Sequence, residues 1–298
     1  VFGAFLLPAV VIATLSTLTH ADSKTEITSP HAVAPIGPEL ASTLSGNFLA
    51  GRFAQRQQDW ESAQSYMNAV MSFDGDNAML QQRTFLLTIG ARQYDRAKTL
   101  AEKITARPDG SELAAIYLAC DAIAHNDFKA AIKHIARLPE DGFGQYTKPL
   151  LNAWSLVGQG KKQAALKLLR ENADQEDPTY NIHAGLMAEL AGDKKLAKKH
   201  YTVAMKNGLT LHTAVLVANF FMQEGNKETA ETIYASLGRL FPFNPFAGEQ
   251  GLQTRPNITR AADGAAIALY DLATLLYERR AYDSAQIYGS MVLLLPPS

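Results

Sequence analysis

Histidine and cysteine are the residues of this chain best suited to bind a metal, and their placement does not favour a metal site. No two of the seven histidines have the His-x3-His or His-Glu-x-x-His spacing that puts two ligands on one helix face. Cys120 is the only cysteine, which excludes an intramolecular disulfide and a cysteine-based metal site. Its apolar neighbours indicate a buried, inert thiol. We therefore expect no metal-binding residues.

Two short segments share features with ligand-binding loops but lack the residues that bind the ligand. Asp74-Gly75-Asp76-Asn77 begins like a calcium loop without the later acidic ligands, so we interpret it as a turn. Gly158-Gln159-Gly160-Lys161-Lys162 has neither the first glycine of a phosphate loop nor a Ser or Thr after its lysine. We expect no catalytic residues and no cofactor, and the chain is not predicted to be an enzyme.

The composition is that of a folded protein with a sizeable apolar core. Of the 298 residues, 47% are hydrophobic and 19% are charged, which excludes a disordered chain and a multi-span membrane protein. The 28 Lys and Arg residues nearly balance the 29 Asp and Glu residues, and the net charge is −1. Because nucleic-acid-binding proteins usually carry a basic excess, we expect no nucleic-acid partner.

One basic cluster stands out against this balance. Lys194, Lys195, Lys198 and Lys199 lie within six residues of one another. A solvent-exposed helix face is the simpler interpretation. Binding of an acidic partner or of an anionic lipid headgroup is the alternative.

The first 21 residues have the pattern of an exported protein. Residues 1–19 carry no charge, and small residues flank His20, as a signal-peptidase site requires. An incomplete signal peptide, favoured by Pro8 and the Ser and Thr residues after it, and an uncleaved membrane anchor both fit residues 1–21. Residues 22–42 are rich in Ser, Thr and Pro and are expected to form a flexible linker. We expect a periplasmic protein, or an inner-membrane-anchored one if the segment is not cleaved.

One alanine recurs at a nearly constant interval along the rest of the chain. The steps between successive copies are 34, 34, 34, 32, 33 and 55 residues. The first five steps fit a repeat of about 34 residues, and the last step equals one repeat plus an insertion of about twenty. These marker alanines are Ala63, Ala97, Ala131, Ala165, Ala197, Ala230 and Ala285.

The neighbours of the marker alanines indicate pairs of packed helices. Mostly apolar residues follow each marker at four and seven positions, which keeps one helix face apolar. Most repeats also have a small residue twelve positions before the marker, so that two facing helices can approach closely. An aromatic residue stands three positions before the marker in four repeats, at Trp60, Tyr94, Phe128 and Tyr282.

This pattern resembles the tetratricopeptide repeat family. The resemblance implies an all-α fold, a right-handed α-solenoid of about seven helix-turn-helix units behind an N-terminal signal or anchor helix. Six units are assigned to residues 43–243 and a seventh, truncated unit to 264–298. Residues 244–263 are expected to form an inserted loop that folds back over an edge of the groove.

Some repeats depart from the family pattern. Phe85 stands where the second repeat should have a small residue. Lys162, Lys194 and Lys227 replace the aromatic residue of the fourth, fifth and sixth repeats. The fourth and fifth repeats are therefore individually the weakest matches.

The resemblance also implies a concave groove formed by the first helix of each unit. The groove positions are largely apolar from the second to the fourth unit, and the Lys/Asn/Arg set with which chaperone-binding members hold a terminal carboxylate is absent except for Asn219. We expect an apolar segment of a protein partner in this groove, with Trp154 as its main anchor. The candidate partner-binding residues are Leu86, Ile89, Ile116, Ile123, Leu150, Trp154, Val157, Leu186, Asn219, Met222, Tyr270 and Tyr277.

The expected function is that of a non-catalytic scaffold or adaptor in the bacterial cell envelope, because the chain resembles exported bacterial tetratricopeptide proteins. One alternative is an appendage of a larger envelope enzyme or assembly factor, whose remaining domain lies beyond residue 298. Another is self-association through the open ends of the solenoid. The last predicted helix ends in the apolar run 291–295, so we expect further chain that covers it. Membrane contact is expected only through the N-terminal segment.

Overall fold

The computed structural model describes residues 43–108, 110–139, 144–172, 177–240 and 256–295, and within these ranges every regular element is an α-helix. The predicted signal or anchor, the linker and most of the predicted inserted loop lie outside them. No helix in these ranges is long and apolar enough to cross a membrane. The helices are α1 Leu44–Arg56, α2 Trp60–Met71, α3 Ala78–Gly90, α4 Tyr94–Thr105, α5 Glu112–Ala124, α6 Phe128–Ile135, α7 Gly144–Gly158, α8 Lys162–Asn172, α9 Pro178–Leu190, α10 Lys194–Lys206, α11 Leu211–Gln223, α12 Lys227–Leu240, α13 Ala261–Glu278 and α14 Tyr282–Val292.

The fourteen helices of the described residues pack as seven consecutive pairs, from α1–α2 to α13–α14. Each pair contains one marker alanine, on its second helix, and this alanine is buried in all seven. The predicted all-α fold of repeated helix pairs is confirmed. The Asp74–Asn77 segment is the turn between α2 and α3, and the Asn77 side chain accepts hydrogen bonds from the first backbone N–H groups of α3.

The turn inside each pair has the same geometry seven times. The residue five positions before every marker has a positive φ, for example 61° at Gln58 and 77° at Gly160. The backbone N–H of the next residue then donates to the carbonyl five positions before it, as from Asp59 to Ala54 at 3.0 Å. This bond closes the end of the first helix and lets the second helix begin one residue later. The other positive-φ residues at this position are Arg92, Asn126, Gly192, Gly225 and Arg280.

Aromatic residues of the second helices join one pair to the next. The Trp60 ring lies on Gly90 of the following pair, and the Phe128 ring lies on Gly158, so closely that a Cβ at either glycine would overlap the ring. Within the fifth pair, Tyr201 covers Gly185 in the same way. At these glycines a large ring therefore occupies the space that a side chain of the glycine position would otherwise fill.

The seventh pair does not continue the stack. Helix α13 packs against α5, α7 and α9, and α14 packs against α3. Residues 257–292 contact one surface of the first helices α3, α5, α7, α9 and α11. We call this surface the inner face. Helix α13 begins at Ala261, three residues before the predicted start of the seventh unit, and Ile258 just before it is already buried.

Candidate partner-binding face

Trp154 on α7 packs directly against α13. Its side chain is fully buried, and a Cβ added at Gly264 of α13 would overlap the indole ring. The indole Nε1–H donates to Nδ1 of His183 on α9 at 3.0 Å. The prediction that Trp154 is an exposed anchor for a partner is wrong, because the chain's own helix covers it.

A line of polar side chains continues from Trp154 across the inner face. Since Nδ1 of His183 accepts the indole hydrogen, the ring hydrogen lies on Nε2, which is 3.4 Å from Oδ2 of Asp271. On the other side of Asp271, Nδ1 of His212 lies 3.9 Å from Oδ1, and the His212 ring stacks at a tilt on Tyr270. Burial by itself would raise the pKa of Asp271, but the two imidazoles outweigh it and hold this pKa below its ordinary value.

Asn257 fixes the segment that leads into α13. Its Nδ2 donates to Oε2 of Glu189 at 3.1 Å and to the carbonyl of Leu216 at 2.9 Å. Its Oδ1 accepts from Nδ2 of Asn219 at 2.7 Å. Glu189 also accepts the hydroxyl hydrogen of Tyr201. Asn219, predicted as a partner-binding residue, therefore binds within its own chain.

The predicted groove residues separate into three classes. Leu86 and Met222 are half-buried, and Tyr270 and Tyr277 are exposed on α13. For the other eight residues the expectation of an open groove surface is wrong, since helix packing and the C-terminal pair bury them. These are Ile89, Ile116, Ile123, Leu150, Trp154, Val157, Leu186 and Asn219.

A cavity of about 360 Å³ remains beside α13, where it crosses the starts of α7, α9 and α11. We call it the α13 cavity. Its walls are mainly apolar, with Leu150, Ile182 and Leu272 among them, and the Asp271 side chain reaches one wall. On α13 it extends from Ala268 to Glu278, and Thr274 within this stretch also borders a second opening on the other side of that helix.

The second opening, of about 540 Å³, is bordered by exposed aromatic side chains. Tyr270 is 44% exposed, Tyr277 64% and Tyr282 48%, and the rings of the last two meet edge to face with centroids 5.2 Å apart. Leu293 and the turn residues Gln58 and Arg92 also lie on the border. We call six of the residues around this opening the tyrosine patch, namely Gln58, Arg92, Tyr270, Tyr277, Tyr282 and Leu293.

The described residues contain no group of three or more His, Cys, Asp or Glu side chains that could hold a metal ion. Cys120 is fully buried, as its apolar neighbours predicted, and burial raises the pKa of its thiol to about 12. A thiol of this kind is not a nucleophile at neutral pH. His183, His212 and Asp271 were not predicted as a group, because the contact between them depends on the return of α13 to the inner face.

Comparison with known proteins gives a structural likeness only. No family model and no curated protein matches the sequence. Among solved structures, the chain is similar to the crystal structure of PilW, a widely conserved type IV pilus biogenesis factor. The match has a TM-score of 0.51 and 16% identity, and covers 69% of this chain and 96% of PilW. The chain has a tetratricopeptide-like repeat fold. In this repeat protein the last described pair lies on the inner face of the others.

Proposed function

We propose that the chain is a non-catalytic protein-binding scaffold of the bacterial cell envelope, which holds an apolar segment of its partner beside α13. The observation that carries this proposal is the tyrosine patch. Tyr and Arg are the residue types that most often dominate protein–protein binding, and here they surround a concave opening. An exposed cluster of this kind costs solubility unless a partner covers it.

The α13 cavity supports the same interpretation. It lies on the opposite side of α13 from the tyrosine patch, and both share Thr274. A segment that crosses α13 at Thr274 would place apolar side chains in both openings. The partner therefore binds along the chain's own helix, and not in an empty concave groove.

The envelope location rests on the sequence of residues 1–21, which fits a signal peptide or an anchor. The fold shared with PilW agrees with a role in an envelope assembly, since PilW is described as a type IV pilus biogenesis factor. Pilus-type assemblies are accordingly the first class of partner to examine.

Truncation of exposed tyrosines tests the proposal without disturbing the core. Tyr277→Ala and Tyr282→Ala should each weaken binding of a captured envelope protein by about 2 kcal/mol, because aromatic anchors carry most of the energy of an interface. Phe73→Ala is the matched control, since Phe73 is 59% exposed and lies at the opposite end of α2 from Gln58. The measurement is quantitative pull-down from envelope extract with the full chain. Equal capture by all three variants and the unaltered protein would show that the tyrosine patch is not the partner site.

A further inference from the structure

A third pocket lies away from α13, between α8, α9 and α10, and has a volume of about 240 Å³. We call it the α8–α10 pocket. Its apolar wall consists of Leu166, Leu169, Ala184, Leu196 and Val203. An aliphatic group of a few carbons fits this wall.

The polar side of the same pocket is cationic. Arg170 from α8 and Lys199 and His200 from α10 line it, and Tyr180 of α9 also lines the pocket. No Asp or Glu is among the described residues that line it. The remaining basic cluster differs, since Lys194 forms an ion pair with Glu224 at 2.8 Å and Lys198 does not line the pocket.

His200 is held in a defined orientation. Nδ2 of Asn181 donates to the carbonyl of Asp177, so Oδ1 of Asn181 accepts from Nδ1 of His200 at 3.0 Å. Nε2 is therefore the nitrogen that Asn181 leaves unengaged. Burial lowers the pKa of His200, and the nearby charges of Lys199 and Arg170 lower it further. An anion placed among these groups would offset the repulsion between Lys199 and Arg170 and would favour the protonated His200 ring, whose Nε2–H could then donate to it.

We propose that the α8–α10 pocket binds an aliphatic anion, with a phosphate or carboxylate group at Arg170, Lys199 and His200 and its alkyl chain against the leucines. Arg170 provides a planar pair of N–H donors and Lys199 a compact charge, and both suit oxyanions. This site is independent of the tyrosine patch. Free acyl or alkyl anions and the anionic phospholipids of a bilayer share the required chemistry.

The first test is calorimetric titration of the full chain with octyl phosphate at low ionic strength. Saturable binding at one site is expected, and Arg170→Gln and Lys199→Gln should each weaken it about tenfold, as loss of one charged hydrogen bond does. Lys198→Gln removes the neighbouring exposed charge outside the pocket and should leave binding unchanged. Absence of saturable binding, or an equal loss in the Lys198→Gln variant, would overturn the proposal.

Two further arms test the apolar wall and the source of the ligand. Inorganic phosphate should bind at least tenfold more weakly than octyl phosphate because it lacks an alkyl chain, and equal affinity would disprove a role of the leucines. Octyl phosphate should raise the pKa of His200 in an NMR titration, whereas an unchanged pKa would place the anion elsewhere. If the protein sediments with phosphatidylglycerol vesicles and Lys199→Gln abolishes this co-sedimentation, the ligand comes from a lipid bilayer. Binding of soluble octyl phosphate without vesicle binding would identify a free anion.

Discussion

Gly264 permits the close contact between α13 and the indole of Trp154, because any side chain at this position would overlap the ring. Gly264→Ala should lower the free energy of unfolding by about 1–3 kcal/mol, the usual cost of overpacking a core. A Cβ added at Gly238 on α12 would meet no other atom within 4 Å. Gly238→Ala should therefore be neutral or stabilise the protein by about 0.5–1 kcal/mol through helix propensity. Urea unfolding followed by circular dichroism measures both. A smaller cost of Gly264→Ala in a Trp154→Leu background would assign the loss to the ring.

Asp271 makes the stability of the inner face depend on pH. Its pKa is lowered in the fold, so its contribution is complete above the ordinary value of 3.8 and is lost as the pH falls through the lowered folded value. Asp271→Asn should cost about 1–2 kcal/mol at neutral pH, since it removes a charged partner of two imidazoles. The difference between the variant and the unaltered protein should shrink below pH 3.8.

The control for this pH dependence is Asp76→Asn, at an exposed position in the turn before α3. Its effect on unfolding should be small at every pH. A difference for Asp271→Asn that stays constant from neutral to acidic pH would contradict the ionic role of Asp271.

Residue-level prediction from the sequence succeeded where the signal is local. The burial of all seven marker alanines and the inert thiol of Cys120 follow from periodicity and apolar neighbours. Trp154 shows where it failed, because an indole on a first helix has the same sequence signature whether a partner or the chain's own helix covers it. The distinction depends on a contact between residues 110 positions apart, Trp154 and Gly264.

At the scale of the element, the turn inside each helix pair repeats one backbone geometry with different residues. Gln58 adopts a φ of 61°, which costs a residue with a side chain about 1–2 kcal/mol relative to glycine. Gln58→Gly should therefore stabilise the protein by about 0.5–1 kcal/mol after the larger chain entropy of glycine is subtracted. The neighbouring Gln57 has a φ of −83°, so Gln57→Gly should destabilise instead. Thermal unfolding of the two variants gives opposite shifts, and shifts of the same sign would refute this account of the turn.

Helix α13 is the element whose existence was predicted and whose position was not. The repeat pattern correctly indicates a helix followed by a turn and a second helix around Ala285. Its buried face consists largely of Ala and Gly, including Ala261, Gly264, Ala265 and Ala268, which allows close packing on helices other than its partner. That composition was a signal for the return to the inner face. It could not specify which helices would receive α13, since the choice depends on residues distributed over five repeats.

At the scale of the described molecule, α13 and α14 connect helix pairs that an open solenoid would leave independent. In an open solenoid each repeat contacts only its neighbours, and local unfolding spreads from one pair to the next. Here α13 packs against α5, α7 and α9 together, and Asn257 joins the segment before it to α9 and α11. Helices α5, α7 and α9 should therefore lose protection from hydrogen exchange together when α13 is loosened.

Asn257→Ala tests this coupling because it removes the side-chain hydrogen bonds that join Asn257 to Glu189, Leu216 and Asn219. Each lost hydrogen bond costs about 0.5–1.5 kcal/mol, and the loss of three is enough to raise the open population of α13 at least several-fold. Hydrogen exchange followed by mass spectrometry should then show faster exchange in α5, α7 and α9 as well as in α13, with α2 as the unaffected reference. Faster exchange confined to α13 and the residues just before it would mean that the first helices stand without it, and that the inner face is an open surface whenever α13 leaves.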